Sequence, residues 1–479
     1  MNIKIYKTFF ILSILFFTAI NVFSQEKGYE IKVKIKGSHD SIMFLVNYYT
    51  DKQYIKDTTD INNKGFAVFQ GKQKLPGGIY LAVMQNRKYF EFILDKEQNF
   101  ILETDTADFV KNMKVKNSPE NTLFYKYLNF IVVKQNEIQK WNNIKQSIKD
   151  NQDSTELAQE KIKTINEEVK KYKIDFVEEH PEKFMSKIFL ASQEPEVPEA
   201  PPATGNDKKD SNYVKKFEYQ YYKDHFWDGF DFSDDRLLRT PIFSNKLKRY
   251  WGEVVLQQPD SLIKEADWMI EQTKGNKETF KYLVWYTTYK AETSHIMGLD
   301  KVFVHLAEKY YMTNQAYWLN EKVLENITKR AMTLKRLLIG EKAPNLLMTD
   351  STGKFVSLHN VKAKYTVLYF WDTECGHCKK ETPKLYELYK TNKAKGLEVY
   401  AISTDRKLKK WTKYVNDNGF DWINVYDEKN WTNYHKIYDI IATPVVYLLD
   451  ENKIILAKKL SVDQLKSFIE RDMKKNEKE

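Results

Sequence analysis

Two cysteines with two residues between them are the groups in this 479-residue chain best suited to covalent chemistry. Cys375 and Cys378 are its only cysteines, and they lie where an apolar run, 365–371, gives way to a helical pattern. A thiolate can attack a disulfide in another molecule, and a thiol one helical turn away can then displace that molecule and close an internal disulfide. The spacing therefore indicates thiol–disulfide exchange.

The elements on either side of the cysteines predict where Cys375 lies. The run 365–371 is short, bulky and uncharged, as expected of a strand that is buried on both faces. After it, Leu385 and Leu388 recur at helical spacing. Cys375 is therefore expected at or just before a helix N-terminus. Unpaired N–H groups and the helix dipole there favour a negative charge, which lowers a thiol pKa below its usual value of about 8.5.

A zinc site is the alternative use of the same spacing, because Cys-x-x-Cys also supplies two metal ligands. A closed site needs four ligands, and the sequence has no second cysteine pair and no His-x(3–5)-His spacing among its eight histidines. Redox chemistry is favoured over metal binding, and no cofactor or metal is expected. A domain that keeps the fold without the activity is the remaining alternative.

Residues 370–383, FWDTECGHCKKETP, resemble the active site of thioredoxin-fold thiol–disulfide oxidoreductases, most closely the exported bacterial branch of the TlpA and ResA type. The lead-in 340–345, the hairpin pattern 346–354 and the helix, Thr-Pro turn and strand over 434–450 fit the same branch. The resemblance implies that Pro444 is a cis-proline facing the cysteines, with the Thr443 backbone free to pair with an extended substrate segment. Taken alone, this Thr-Pro pair would be an ordinary strand start.

The sequence also departs from thioredoxin around the cysteines. Glu374 stands where thioredoxins usually carry a tryptophan, and Tyr369 stands where they carry a buried acid. Gly376 and His377, between the cysteines, match protein disulfide isomerases. His377 is expected to help stabilise the Cys375 thiolate, with a solvated loop residue as the alternative, while Glu374 should oppose it. The sequence does not place the reduction potential between about −270 mV for thioredoxin and about −180 mV for protein disulfide isomerase.

The first residues have the pattern of a secretory signal. Lys4 and Lys7 precede the apolar run 9–20, and small or modest residues at 22–24 supply a cleavage site. A signal peptide over 1–24, cleaved near Ser24, is expected, with an uncleaved anchor as the alternative. No cysteine follows for lipid anchoring, and no later stretch is long enough to cross a bilayer. The expected location is the periplasm or cell envelope, as a soluble protein.

Composition fits an exported, multidomain protein without structural disulfides. Hydrophobic residues make up 42% and aromatic residues 14% of the chain, enough for a core without cross-links. The length suggests about three domains. The formal charge of +10 is spread along the chain among abundant acids, so nucleic-acid binding is not expected.

Residues 27–110 are predicted to form an all-β domain, an antiparallel sandwich or barrel. Residues 29–37 alternate apolar and lysine-rich positions, and similar runs follow at 42–49, 65–70, 78–84, 89–94 and 99–104. The domain resembles the β-rich domain often joined to exported thioredoxin-like domains. A structural platform is favoured as its role, with carbohydrate binding and protein docking as alternatives.

Residues 118–339 are predicted to be mainly helical. Ser118 and Pro119 supply a helix start, and a charged hairpin over 135–173 should break near 150–153. Prolines among acids at 194–207 indicate an extended loop. The aromatic residues of 217–232 are assigned to the core, with a ligand surface as the alternative. His295 and His305 are interpreted as ordinary helical residues.

Residues 340–479 are predicted to form an α/β thioredoxin fold, and the whole chain is interpreted as a cell-envelope thiol–disulfide oxidoreductase. A peroxidase is disfavoured because the Pro-x-x-x-Thr-x-x-Cys spacing is absent. The resemblance implies a reductant, rather than an isomerase or oxidase, that acts on protein substrates, with cytochrome assembly as a possible setting. A membrane redox partner would reset the cysteine pair. The alternative is a partner-binding or glycan-binding envelope protein with an accessory redox domain.

Overall fold

The computed structural model describes residues 28–147, 152–205, 211–405, 407–427 and 429–476. The predicted signal peptide, 1–24, lies outside these residues. Among the described residues, the helices are all too short or too polar to span a bilayer. Residue contacts divide the chain into two compact units. The first comprises the residues up to 195 with 227–230 and 236–246, and the second comprises 196–226, 231–235 and the residues from 247 onward.

Two four-stranded sheets open the first unit, in the orders β4-β1-β7-β8 and β3-β2-β5-β6. Ile31 and Val33 are buried along β1 while the lysines beside them are not, so the predicted alternation is confirmed. The rings of Phe92 and Phe100, one from each sheet, are 5.8 Å apart, so the buried faces of the two sheets meet. The strands are Tyr29–Lys36 (β1), Ile42–Tyr49 (β2), Lys52–Asp60 (β3), Phe66–Gly71 (β4), Gly78–Met84 (β5), Tyr89–Leu94 (β6), Asn99–Asp105 (β7) and Lys114–Lys116 (β8).

The β region differs from the sequence-based expectation in three places. β1 pairs with β7 in parallel, whereas its pairing with β4 is antiparallel as expected. The hydrophobic pattern does not predict β3, because none of its nine residues is buried and the strand therefore lacks an apolar face. It lies at the edge of its sheet and pairs with β2 alone. β8 lies beyond the predicted limit at residue 110.

Three helices complete the main part of the first unit: α1 (Pro119–Ser147), α2 (Gln152–Glu179) and α3 (Phe184–Ala191). The Ser118 hydroxyl accepts from the Asn121 N–H at 3.3 Å, as its predicted capping role requires. The rings of Phe130 and Tyr172 stack at 4.5 Å, which joins α1 and α2 as the predicted hairpin. Residues 150 and 151 of the predicted break lie outside the described residues, and residues 152 and 153 are the first two of α2.

From Tyr213 to Lys335 the chain is mainly helical, after a stretch at 194–204 without regular structure where the proline-rich loop is predicted. The helices are α4 (Tyr213–His225), α5 (Pro241–Arg249), α6 (Pro259–Glu271), α7 (Lys277–Glu292), α8 (Asp300–Leu306) and α9 (Glu321–Lys335), with π-helical turns at Tyr250–Val254 and Ala307–Tyr311.

The aromatic residues of 217–232 divide between core and surface. Phe226, Trp227, Phe230 and Phe232 are buried, which agrees with the core assignment. Helix α4 has no fully buried residue, so its aromatics are not core residues: Tyr219 is exposed, and Phe217, Tyr221 and Tyr222 are half-buried. The interpretation of His295 as helical is also wrong, because it lies in an exposed loop after α7.

A seven-stranded sheet in the order β10-β9-β13-β12-β11-β14-β15 organises the carboxyl-terminal part, and the predicted thioredoxin-type α/β fold is confirmed. Central β11 runs parallel to β12 and antiparallel to β14, and all seven of its residues are buried. The strands are Leu347–Thr349 (β9), Phe355–Ser357 (β10), Tyr365–Trp371 (β11), Leu397–Ser403 (β12), Ile423–Tyr426 (β13), Val445–Leu449 (β14) and Ile455–Lys458 (β15). The helices are α10 (Gly376–Asn392), α11 (Leu408–Asn418), α12 (Tyr434–Ile437) and α13 (Val462–Asn476).

The edge strand β15 is joined to the helical region within the second unit. Lys458 is 2% exposed, and its ammonium group contacts the Asp300 carboxylate of α8 and the Leu337 carbonyl oxygen. Burial lowers the pKa of Lys458, and the nearby Asp300 carboxylate acts in the opposite direction. The Gly340 N–H also donates to the Ile455 carbonyl at 2.9 Å. The seven-stranded sheet and α8 are therefore joined by a buried ion pair.

The Asp300→Asn substitution should lower the free energy of unfolding by about 3 kcal/mol, because it leaves the buried Lys458 ammonium without its counter-charge. Urea unfolding of the full chain measures the loss. Asp260→Asn is the matched control, since Asp260 pairs with Lys301 at the surface and its side chain is 85% exposed. That change should cost less than about 0.5 kcal/mol. Equal losses for the two variants would contradict the assignment.

Candidate active site

The loop between β11 and α10 places the two cysteines. Helix α10 begins at Gly376 with Cys375 as its N-cap, which confirms the predicted position. The Cys378 backbone N–H donates to the Cys375 sulfur at 3.2 Å, and the Cys375 N–H donates to the Asp372 carbonyl at 3.3 Å. The first turn of α10 thus directs an N–H group at the sulfur of Cys375.

The two thiols differ in exposure and in acidity. Both are free, but Cys375 is partly exposed, whereas Cys378 is 1% exposed. Burial raises the pKa of Cys375, but hydrogen bonds from the Cys378 thiol and N–H, the Thr443 side chain and the His377 backbone lower it by more, so the net shift is downward from the ordinary thiol value. Burial raises the pKa of Cys378 to about 12, and its hydrogen bond to Cys375 adds to the rise. Cys375 therefore ionises first.

The structure brings Thr443 and Pro444 beside the cysteines. The peptide bond between them is cis, as the resemblance implies, and Cys375 Sγ lies 3.3 Å from the Thr443 carbonyl oxygen. Thr443 also lines a groove of about 640 Å³ together with Ile441, which is 77% exposed. The groove therefore adjoins the residue whose carbonyl oxygen contacts the Cys375 sulfur.

Gly376 and His377 lie in the first turn of α10, and both are exposed. A Cβ atom at Gly376 would meet no atom within 4 Å, so sterics alone do not demand glycine there. The group of His377 that bears on Cys375 is its backbone, through a hydrogen bond that lowers the thiol pKa. A role for the imidazole of His377 stays a prediction.

Glu374 has a cationic partner that the sequence analysis did not foresee. Its exposed carboxylate forms an ion pair with the Lys410 ammonium of α11, and this contact lowers the pKa of Glu374. The predicted repulsion between Glu374 and the Cys375 thiolate is therefore offset by a positive charge on the same side of the site.

Two hydroxyl groups occupy the buried position where thioredoxins carry an acid. The Tyr369 and Thr382 oxygens are 2.8 Å apart, and both side chains are fully buried. Burial raises the pKa of Tyr369 well above its ordinary value. Tyr369 therefore stays neutral across the physiological range and adds no negative charge beside Cys378.

Asp405 is a structural residue of the site that sequence reasoning missed. Its carboxylate accepts from the Thr373 N–H at 3.1 Å, the Thr373 hydroxyl at 2.6 Å and the Ser403 hydroxyl at 2.9 Å. Asp405 is 8% exposed, so these bonds are shielded from water. They fix the loop that leads from β11 to Cys375. The sequence contains one signal for this role: Asp405 follows the end of β12 by two residues, and β12 is the parallel neighbour of β11, which leads to Cys375.

Within the described residues, no group of three or more histidine, cysteine, aspartate or glutamate side chains is arranged to hold a metal ion. The geometry at the cysteines is that of a dithiol with one acidic, accessible sulfur and one buried sulfur. Such a pair can open a disulfide in another molecule and then close on itself.

Comparison with protein families gives three matches along the chain. Residues 339–458 match the AhpC/TSA family. Residues 29–124 match DUF4369 and residues 151–335 match DUF5106, both described as domains of unknown function.

Individual relatives match the carboxyl-terminal part. The thiol-disulfide oxidoreductase ResA of Bacillus thuringiensis subsp. konkukian (strain 97-27) is 30% identical over 141 residues, which cover 29% of this chain and 80% of the relative. ResA of Bacillus anthracis is 31% identical over 144 residues, with the same coverage. A solved domain of a possible thiol-disulfide isomerase from Cytophaga hutchinsonii is 48% identical, with 30% of this chain and 97% of that chain covered and a TM-score of 0.28.

Proposed function

This chain belongs, through its carboxyl-terminal domain, to the ResA family of thiol–disulfide oxidoreductases, and from that membership we propose that it is an exported reductant of protein disulfides. The difference in acidity between Cys375 and Cys378 is the observation that carries the proposal. An accessible thiol with a lowered pKa suits attack on a disulfide in another molecule, and a buried thiol beside it suits the later closure of a disulfide within the protein.

The reaction proceeds in two exchanges. The Cys375 thiolate attacks one sulfur of a substrate disulfide, forms a mixed disulfide and releases the other substrate sulfur as a thiolate, which takes up a proton. Cys378 then loses its proton and attacks the Cys375 sulfur, which releases the second substrate thiolate. The substrate gains two electrons and two protons, and the protein is left with a disulfide between Cys375 and Cys378.

Protein disulfides are the proposed substrates because the site has, beside the Cys375 sulfur, backbone and a groove that a polypeptide segment could contact. The Thr443 backbone lies beside Cys375, and the groove next to it carries the exposed side chain of Ile441. Main-chain pairing with an extended segment would hold a substrate cysteine at attacking distance. Cytochromes under assembly are one such substrate class that the family resemblance implies.

The proposed location is the cell envelope, which the signal pattern in 1–24 supports. Each turnover there leaves the protein oxidised, so a membrane redox partner must return two electrons to it. Fractionation of cells that express the full chain tests the location. Recovery with cytoplasmic proteins, with an intact amino terminus, would refute it.

The reduction potential tests the direction of electron flow. The purified protein is equilibrated with defined mixtures of reduced and oxidised dithiothreitol or glutathione, and the alkylated thiols are counted. A reductant should have a potential near that of thioredoxin, about −270 mV. A value near about −180 mV, as in protein disulfide isomerase, would contradict the reductant role and favour isomerisation or oxidation.

A further inference from the structure

Arg330 of α9 links the helical region to the chain segment that leads to Pro444. One amino group of its guanidinium contacts the Glu292 carboxylate of α7, and the guanidinium lies 5.9 Å from the ring centre of Phe303 in α8. The other amino group forms an ion pair with Asp439 at 3.5 Å. Contacts with α7 and α8 thus hold the Arg330 guanidinium, which belongs to α9, in place beside Asp439.

Asp439 is the residue at which this segment leaves the core. The preceding residue, Tyr438, is fully buried, and its hydroxyl donates to the Pro344 carbonyl. Asp439 has a φ of 50°, in the left-handed region that aspartate tolerates better than most residues. From there the chain turns outward to Ile441, which is largely exposed. Arg330 therefore contacts the residue at which the chain passes from the core to the surface.

The segment 440–443 is the part of the redox domain that a substrate would meet beside Cys375. All four of its residues line the groove, and Thr443 contacts the Cys375 sulfur. Asp439 is four residues before Thr443. A displacement at Asp439 would therefore move the backbone that pairs with the substrate relative to the attacking sulfur, and exchange reactions are sensitive to such shifts.

We propose that Arg330 is a positioning residue for disulfide exchange with proteins. Through Asp439 it sets the placement of segment 440–443 against Cys375, so recognition of a protein disulfide depends on the helical region. This inference rests on the proposed function. It assigns the helical region a part in substrate recognition, whereas the chemistry stays with the two cysteines.

Full-length Arg330→Met protein in its reduced form tests the proposal against two disulfides. Insulin presents a disulfide within a polypeptide, and 5,5′-dithiobis(2-nitrobenzoate) presents one without a backbone to pair. The second-order rate constant for insulin should fall on the order of tenfold, and that for the small disulfide should change by less than about twofold. Asp439→Asn should give the same selective loss, and the double variant should be no slower than the slower single variant.

Lys329→Met is the matched control, because Lys329 is the neighbour of Arg330 on α9 and pairs with exposed Glu325 on the same helix. Its rates with both disulfides should equal those of the unsubstituted chain. Equal losses with the two disulfides, unchanged rates in Arg330→Met, or losses that multiply in the double variant would each overturn the positioning role. If the unsubstituted chain reduced neither disulfide, the proposed function itself would fail, independently of Arg330.

Discussion

Replacing Cys375 by serine should lower the rate of disulfide reduction by at least about 10³-fold, since Cys378, the other thiol of the site, is buried and its pKa is raised to about 12. A serine hydroxyl at the N-cap of α10 keeps the position and the hydrogen bonding of the sulfur, but it is not ionised at neutral pH and forms no mixed disulfide. Insulin reduction with dithiothreitol as the electron donor measures the effect, after subtraction of the rate without protein.

Ser467→Ala controls for handling and folding of the variants. Ser467 is an exposed residue of α13 whose hydroxyl donates to the Asp463 carbonyl of its own helix. This variant should retain the full rate. If Cys375→Ser protein reduced insulin as fast as the Ser467→Ala control, the activity would have to come from other groups, and the assignment of Cys375 would be wrong.

Alkylation with iodoacetamide at pH 7 should modify Cys375 at least about 10³-fold faster than Cys378. A thiol with a pKa of about 12 is ionised to about 10⁻⁵ at this pH, whereas an ordinary thiol with a pKa of about 8.5 is ionised to more than about 10⁻², and the pKa of Cys375 is lowered from its ordinary value. Because Cys378 is also buried, iodoacetamide reaches it less readily than it reaches Cys375, and this increases the difference between the two labelling rates. Peptide mass spectrometry after short labelling times gives the two rates.

The pH profile of Cys375 labelling fixes the sign of its pKa shift. The rate should rise tenfold per pH unit while the thiol is protonated and should level off once it is ionised. Because the pKa of Cys375 is lowered, the rate should level off at a lower pH than it does for an ordinary thiol. The protein unfolded in urea is the control, in which both cysteines should react at similar rates. A profile that still rises tenfold per unit at pH 9, or equal labelling in the folded protein, would contradict the geometry of the site.

Sequence patterns predict the parts of the site that depend on neighbours along the chain. The uncharged run 365–371 is β11, and the change of pattern after it places Cys375 at the start of α10. The cis bond before Pro444 came from the family resemblance rather than from periodicity, since a Thr-Pro pair alone also fits a strand start. Residue patterns along the chain were sufficient to predict β11 and the position of Cys375, and the family motif was sufficient to predict the cis bond.

The contacts that support the site join residues far apart in sequence, and no local pattern encodes them. Asp405 bonds to Thr373 across 32 positions, and Arg330 reaches Asp439 across 109. The parallel pairing of β1 with β7 joins residues that are 69 positions apart, such as Glu30 and Asn99. β3 was missed for a different reason. It lies at a sheet edge with neither face buried, so its side chains carry no alternation for a period-based prediction to detect.

Trapping the mixed disulfide tests the central claim most directly. Cys378→Ala protein is reduced, freed of reductant and mixed with insulin, and the products are separated by electrophoresis without reductant and mapped by mass spectrometry. The predicted result is a covalent adduct through Cys375 that dithiothreitol dissolves, because the thiol that would release the substrate is gone. The contradictory result is no adduct in Cys378→Ala, together with an adduct through Cys378 in Cys375→Ala, which would reverse the roles of the two cysteines.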